Sequence, residues 1–344
     1  MNPEKILIIQ TAFLGDVILT TPLIKAVRKK YPRSKISFLL IPQTKKLLQN
    51  NPYLNEIIVY DKKDKEKGVF NFLKLIKKIK GMAFDLAFVP HRSLRSTLLT
   101  YFAGIPQRVG FDESSGSFLF TRRIKYIQNQ SEIKRNLSLL EEELFSEKEF
   151  LPELFPSTDD FRYVNYLLKS WNIQENDRMV GIAPGSVWET KRWLPERFGQ
   201  VAESLIEKLG AKVVFIGGKE DEPLCIEISR DMKSKPFIAA GKLTPLQSAV
   251  LISRGKAVLS NDTAPMHIAV AMRIPVVAIF GSTVPEFGFA PTGEKDIVIQ
   301  KKVYCRPCGI HGRRKCPEKH FRCMKEITSE EVFEAVRILW SENR

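Results

Sequence analysis

The chain has 344 residues, 44% of them hydrophobic and 27% charged, enough for two compact domains and unlike a disordered polymer. No apolar run approaches the roughly 20 residues that span a bilayer, and MNPEKILIIQ leads straight into a strand without a signal-peptide pattern, so a cytoplasmic protein is expected. The net charge of +15 suits nucleic acid, an anionic membrane face or a multiply phosphorylated substrate, and equally a merely soluble basic surface.

The first half alternates strands with helices. Strands are predicted at Lys5–Ile9, Ile36–Leu40, Glu56–Tyr60, Asp85–Val89 and Arg108–Phe111, and amphipathic helices at Val17–Lys30, Phe72–Ile79 and Leu94–Phe102. Residues 112–136 lose the periodicity and read as a long surface excursion, and Glu141–Glu149 reads as an acidic helix. The prolines of LPELFPS, 151–157, mark a linker. A second α/β set follows a helix ending near Trp171. Its strands are Met179–Ala183, Lys212–Ile216, Phe237–Ala240, Ala257–Leu259 and Val276–Phe280; its helices are Pro195–Leu209, Glu222–Met232 and Pro245–Arg254, with a last amphipathic helix, Thr328–Trp340. Two Rossmann-like halves in series result, without repeats of solenoid period.

The chemistry-bearing residues fall after strands. Asn261, Asp262 and Thr263 offer side-chain oxygens where a helix starting at Ala264 needs its N-cap, and Pro265 suits the first turn. Such a helix N-terminus at a strand's carboxyl end can receive phosphate, or be an ordinary well-capped βα turn. The turn Pro184-Gly185-Ser186 with Lys191 and Arg192 is a second anion-receptive loop, in which Lys191 could neutralise a departing diphosphate; alternatively it is a solvated basic turn. Gly217-Gly218 lets a ring or ribose approach, with Glu220 or Glu222 to accept from its hydroxyls. After the first strand, Thr11, Gly15 and Asp16 form a turn in which Asp16 either complements a helix dipole or takes a proton from an incoming hydroxyl. No GxGxxG is present, which argues against a dinucleotide dehydrogenase. His267 reads equally as a packed histidine or a sugar contact, and His91, Arg92 and Arg95 as an acceptor-side group. The tail carries Cys305, Cys308, Cys316 and Cys323 with His311 and His320 interspersed, a spacing compatible with structural zinc and unlike a cytoplasmic disulfide framework. Cys225 reads as buried filler.

Taken together, Ile8-Ile9 through Gly15-Asp16 with Thr21-Pro22, Pro184-Gly185 with Lys191-Arg192-Trp193 and Pro195, and Asn261-Asp262-Thr263 with Met266-His267 and Gly281-Ser282-Thr283 resemble the lipopolysaccharide heptosyltransferases, glycosyltransferase family 9. The resemblance covers nearly the whole chain and is nearest to the heptosyltransferase II branch. It implies an α/β GT-B fold of two Rossmann-like domains facing across a cleft: residues 1–155 for the acceptor, 156–326 for the nucleotide sugar, and a helix in 327–344 packing back toward the first domain. It also implies an inverting transfer from ADP-heptose to a Kdo/heptose-bearing lipid A acceptor at the inner membrane face, by a monomer that binds no nucleic acid. By position Asp16 corresponds to the family's proposed base, Lys191 to its phosphate-contacting lysine and Asp262 to the aspartate of its nucleotide-sugar loop. The chain departs from the family's pattern at Ala264, where Gly is usual, and at Ala12, where Ser is frequent.

The donor set is therefore Ser186, Lys191, Arg192, Glu220, Asp262, Thr263, Ala264 and His267. Thr11, Gly15, His91, Arg92, Arg95, Arg122 and Arg123 form the acceptor set. No cofactor is expected for catalysis, since no DxD-type pair is present. The competing readings are a GT-B transferase using another nucleotide sugar and a basic nucleotide-binding protein without chemistry.

Overall fold

A computed structural model of the chain describes residues 3–61, 68–141 and 149–341. It divides into two compact units, Met1–Phe155 and Pro156–Arg344.

The first unit runs β1 (Lys5–Ile9), α1 (Leu14–Lys30), β2 (Lys35–Leu40), α2 (Lys45–Leu48), β3 (Glu56–Val59), α3 (Val69–Met82), β4 (Leu86–Val89), α4 (Leu94–Phe102), β5 (Gln107–Phe111), β6 (Arg122–Ile124) and α5 (Glu132–Ser138). Its six strands are parallel in the order β3-β2-β1-β4-β5-β6. The central strands are apolar along their length because helices cover both faces, and Ile6, Leu7, Ile8 and Ile9 have no exposed surface.

The second unit runs α6 (Thr158–Ser170), β7 (Met179–Ala183), α7 (Pro195–Leu209), β8 (Lys212–Phe215), α8 (Glu222–Arg230), β9 (Phe237–Ile238), α9 (Pro245–Ser253), β10 (Ala257–Asn261), α10 (Ala264–Ala271), β11 (Val276–Phe280), β12 (Ile297–Gln300), α11 (Arg322–Lys325) and α12 (Ser329–Ser341). Its parallel sheet has the order β12-β11-β10-β7-β8-β9. In each unit the strand order reverses beside the first strand, between β1 and β4 and between β7 and β10. A crevice opens at the carboxyl ends of such a pair.

Two expectations need correction. Residues 112–136 are not a surface excursion: they include β6 and the start of α5, in which Ile133, Arg135, Asn136 and Leu137 are buried. In helix α12, Val332, Val336, Leu339 and Trp340 join the second unit's core, and the helix packs on α7. The side-chain cap expected before α10 is absent. Thr263 is the N-cap residue, but its hydroxyl reaches back to the Asn261 carbonyl at 3.3 Å rather than forward to an N–H. The acidic helix expected over 141–149 falls largely on 142–148, outside the described residues. Among the described residues no helix is long and apolar enough to cross a membrane.

Candidate functional site

In the second unit the loops after β7 and β10, neighbours at the strand-order reversal, are stitched together by Asn261. Its amide donates to the Pro184 carbonyl at 2.9 Å, and its carbonyl oxygen accepts from the Trp193 N–H at 3.0 Å. Fully buried Asn261 thus anchors the loop of residues 184–193 at both ends. Trp193, 1% exposed, plugs the core beneath it.

Lys191 and Asp262 meet on this scaffold. Nζ lies 2.6 Å from Asp262 Oδ2 and also donates to the Asp262 carbonyl at 3.3 Å. The two side chains are 14% and 6% exposed, so the pair is shielded from water and salt. Thr283, after β11, donates its hydroxyl to the same carboxylate oxygen at 2.7 Å. His267 on α10 is buried nearby, and burial lowers its pKa to about 4, with Asp262 opposing that shift and Lys191 adding to it. It is therefore a neutral, packed imidazole at pH 7. Thr263 and Ala264 sit at the start of α10, whose first N–H groups receive no side-chain cap.

The other donor-set residues lie around this pair. Ser186 is buried; its hydroxyl accepts from the Trp188 N–H at 3.2 Å and its carbonyl from Arg192 Nε at 2.7 Å. Arg192 also pairs with Glu189 at 2.9 Å. Glu220 is exposed. Its neighbour Asp221, which the sequence reading passed over, is the carboxylate turned toward the loop: it accepts from the Gly218 N–H at 2.9 Å, and burial raises its pKa. A Cβ on Gly185 would fall 2.0 Å from Asp221 Oδ1, so glycine is required there to admit the carboxylate. The signal available in sequence was Gly185 together with Gly217, whose Cβ would also meet Asp221.

The first unit brings Thr11 and His91 together, after the adjacent strands β1 and β4. Thr11 Oγ1 and His91 Nδ1 are 3.0 Å apart, and Nδ1 is also near the hydroxyls of Ser96, 3.1 Å, and Ser93, 3.2 Å. Gly15 and Asp16 occupy the first turn of α1, where Asp16 Oδ2 accepts from the Phe13 N–H at 3.1 Å. Sequence reasoning missed Glu132 and Arg135 on α5. They form an ion pair at 2.7 Å that is almost fully buried, and the field of Asp16 reaches Glu132. Burial raises the Glu132 pKa against the pull of Arg135. Arg92 packs over the Tyr126 ring at 4.0 Å and pairs with Glu113 at 3.5 Å. Arg95 lies 5.7 Å from the Phe72 ring, Arg122 pairs with Glu141 at 2.9 Å, and Arg123 is exposed on β6.

The four tail cysteines lie within one another's electrostatic reach: Cys305, Cys308 and Cys316 each act on the Cys323 thiol, whose pKa burial raises to about 11. Cys323 is buried in the apolar core under α12, Cys308 turns its thiol to the Cys305 carbonyl at 3.4 Å, and Cys305 Sγ lies 3.7 Å from His320 Nε2. Among the described residues no three His, Cys, Asp or Glu side chains form a group able to hold an ion.

The profile of Glycosyltransferase family 9 (heptosyltransferase) matches residues 72–321, well over half of the chain. The chain belongs to glycosyltransferase family 9. It is 25% identical to lipopolysaccharide heptosyltransferase 2 of Escherichia coli (strain K12), over 97% of this chain and 98% of that protein. The structure of E. coli ADP-heptose lps heptosyltransferase II superposes with a TM-score of 0.78 at 25% identity, covering 97% of this chain and 98% of that one. The family 9 glycosyl transferase from Veillonella parvula DSM 2008 gives 0.88 at 24% identity, covering 99% and 98%. The protein is a glycosyltransferase of α/β fold, and its two parallel six-stranded sheets are those of the GT-B heptosyltransferases.

Proposed function

We propose that this family 9 member transfers heptose, with inversion, from ADP-L-glycero-D-manno-heptose to the heptose/Kdo inner core of lipopolysaccharide, as a heptosyltransferase II-like enzyme. The observation that carries the donor half is the buried Lys191–Asp262 pair beside the uncapped start of α10. A nucleotide diphosphate binds where helix N–H groups and a cation converge, and a lysine already desolvated there acts at low local dielectric on the charge that develops as the sugar leaves. Relatives described as lipopolysaccharide heptosyltransferase 2 and ADP-heptose lps heptosyltransferase II support the choice of sugar and base.

In this reading Asp16 takes the proton of an acceptor heptose hydroxyl, whose oxygen attacks the anomeric carbon. The bond from that carbon to the diphosphate oxygen breaks, and ADP departs with the electron pair, its charge met by Lys191. Ser186, Arg192, Thr263 and Ala264 line the donor side; Thr11, Gly15 and His91 line the acceptor side. The basic side chains Arg92, Arg95, Arg122 and Arg123 favour an anionic lipid acceptor, so the enzyme would work as a monomer at the cytoplasmic face of the inner membrane.

Nucleotide preference tests the donor assignment. ADP should raise Tm at concentrations where UDP and GDP do not, because only a ligand bound by the native state adds stability. Equal shifts with all three would contradict an adenine-specific site.

A further inference from the structure

The loop that carries Lys191 is held by a stretch of tail far away in sequence. Thr190, buried, donates its backbone N–H and its hydroxyl to the Arg313 carbonyl, each at 3.1 Å, and its hydroxyl accepts the Arg313 N–H at 2.7 Å. Gly312 precedes Arg313 with φ of +81°, and a Cβ there would stand 3.2 Å from Lys191 Cγ and 3.1 Å from Thr190 Oγ1. The stem of Lys191 therefore lies against a backbone that only glycine provides, both for its conformation and for its closeness.

The other end of this stretch is fixed to the loop after β11. Cys308 donates its N–H to the Ser282 carbonyl at 2.9 Å, and the Arg306 guanidinium donates to the Thr283 carbonyl at 2.6 Å and to Gln300 Oε1 at 3.0 Å. Arg313 Nε donates to the Cys308 carbonyl at 2.8 Å, tying one end to the other. Thr283 is the residue whose hydroxyl orients Asp262. Residues 306–313 thus bridge the loop that carries Lys191 and the loop after β11, whose Thr283 hydroxyl holds the Asp262 carboxylate.

The geometry points to a strap, residues 306–313, in which Thr190 and Gly312 are positioning residues that preset the Lys191 stem for a nucleotide diphosphate. The inference rests on the reading of Lys191 as the diphosphate contact. A lysine has four rotatable bonds, and fixing them costs binding entropy unless the protein has already done so. Contact at Cγ holds the first part of the chain and leaves the ammonium free to exchange Asp262 for phosphate oxygens, so the ordering cost is met in folding rather than in binding. Neither Thr190 nor Gly312 touches the reacting atoms in this account.

Calorimetric ADP affinity and Tm, measured for Thr190→Val, Thr190→Ser, Gly312→Ala, Lys191→Ala and the Thr190→Val/Lys191→Ala double variant, test it. Thr190→Val and Gly312→Ala should weaken ADP about five- to tenfold, the scale of one lost hydrogen bond. Thr190→Ser, which keeps the hydroxyl, should restore binding. In the Lys191→Ala background Thr190→Val should cost nothing further, since its effect runs through the lysine. Full additivity of the two, or unaltered affinity in Thr190→Val and Gly312→Ala while Lys191→Ala binds poorly, would overturn the strap. Normal ADP binding by Lys191→Ala would instead overturn the donor reading beneath it.

Discussion

Lys191 Nζ and Asp262 Oδ2 lie 2.6 Å apart on two loops that leave adjacent parallel strands, and neither side chain is more than 14% exposed. Removing one partner of such a pair leaves a buried charge uncompensated, a cost of about 3–5 kcal/mol. Lys191→Ala should therefore lose stability as well as donor binding and turnover, whereas Lys191→Ala/Asp262→Asn should recover much of the stability and none of the activity. Thermal melts beside donor KM and kcat check this. An effect of Lys191→Ala on acceptor KM alone would contradict the assignment of the lysine to the donor.

Asp16 presents a different balance. Its carboxylate accepts the Phe13 N–H, a bond an amide oxygen can also accept, so Asp16→Asn should keep α1 and leave ADP affinity and Tm unchanged. Turnover should fall about a hundredfold or more, the contribution of a general base. Turnover near that of the wild type would remove Asp16 from the mechanism.

His267 makes a pH prediction. Its pKa in the folded protein is about 4, against 6.5 ordinarily, because burial disfavours the imidazolium more than the neighbouring Asp262 favours it, and Lys191 disfavours it further. The unfolded chain therefore binds a proton between pH 6.5 and 4 that the folded chain refuses. Stability is complete above 6.5 and declines as pH falls toward 4, by on the order of 3 kcal/mol at about 1.4 kcal/mol per pH unit. Urea midpoints of wild type and His267→Gln measured at pH 7, 5.5 and 4.5 should converge as pH falls. Parallel curves would show that His267 is not the titrating group.

Much of the fold was legible because parallel strands buried on both faces are short apolar runs: Met179–Ala183 and Val276–Phe280 are read from sequence with the bounds observed. Helix α5 was not, because its buried face holds Glu132 and Arg135, paired with each other, and Asn136, which donates to the Leu19 carbonyl, and such polar residues look like surface in a sequence. Lys191 and Asp262, which the structure brings into contact, were singled out through the loops that follow β7 and β10. Asn261 was read as a cap but serves as a cross-link between them, and Asp221 was hidden behind its exposed neighbour Glu220. Such roles depend on long-range contacts that no local pattern records.

The basic surface of the first unit yields a salt-dependent prediction. Residues 1–155 carry 26 Lys+Arg against 16 Asp+Glu. Arg92 and Arg122 already have acidic partners, so neutralising Arg95 and Arg123 should matter more. Each basic side chain near an anionic bilayer contributes about 1 kcal/mol, over a Debye length of about 8 Å at physiological salt. Arg95→Gln/Arg123→Gln should raise the acceptor KM at low salt, less so at high salt, with ADP affinity unchanged. Indifference of acceptor kinetics to both salt and these substitutions would reduce the charge to a solubility feature.

The most direct test of the account is the transfer itself. Purified enzyme is incubated with ADP-heptose and a lipid A acceptor ending in inner-core heptose, with ADP release and the mass of the lipid product followed together. The account predicts stoichiometric ADP and addition of one heptose by the wild type, with loss of both in Asp16→Asn and Lys191→Ala. No heptose on the lipid, or transfer that proceeds from another nucleotide sugar and not from ADP-heptose, would contradict it.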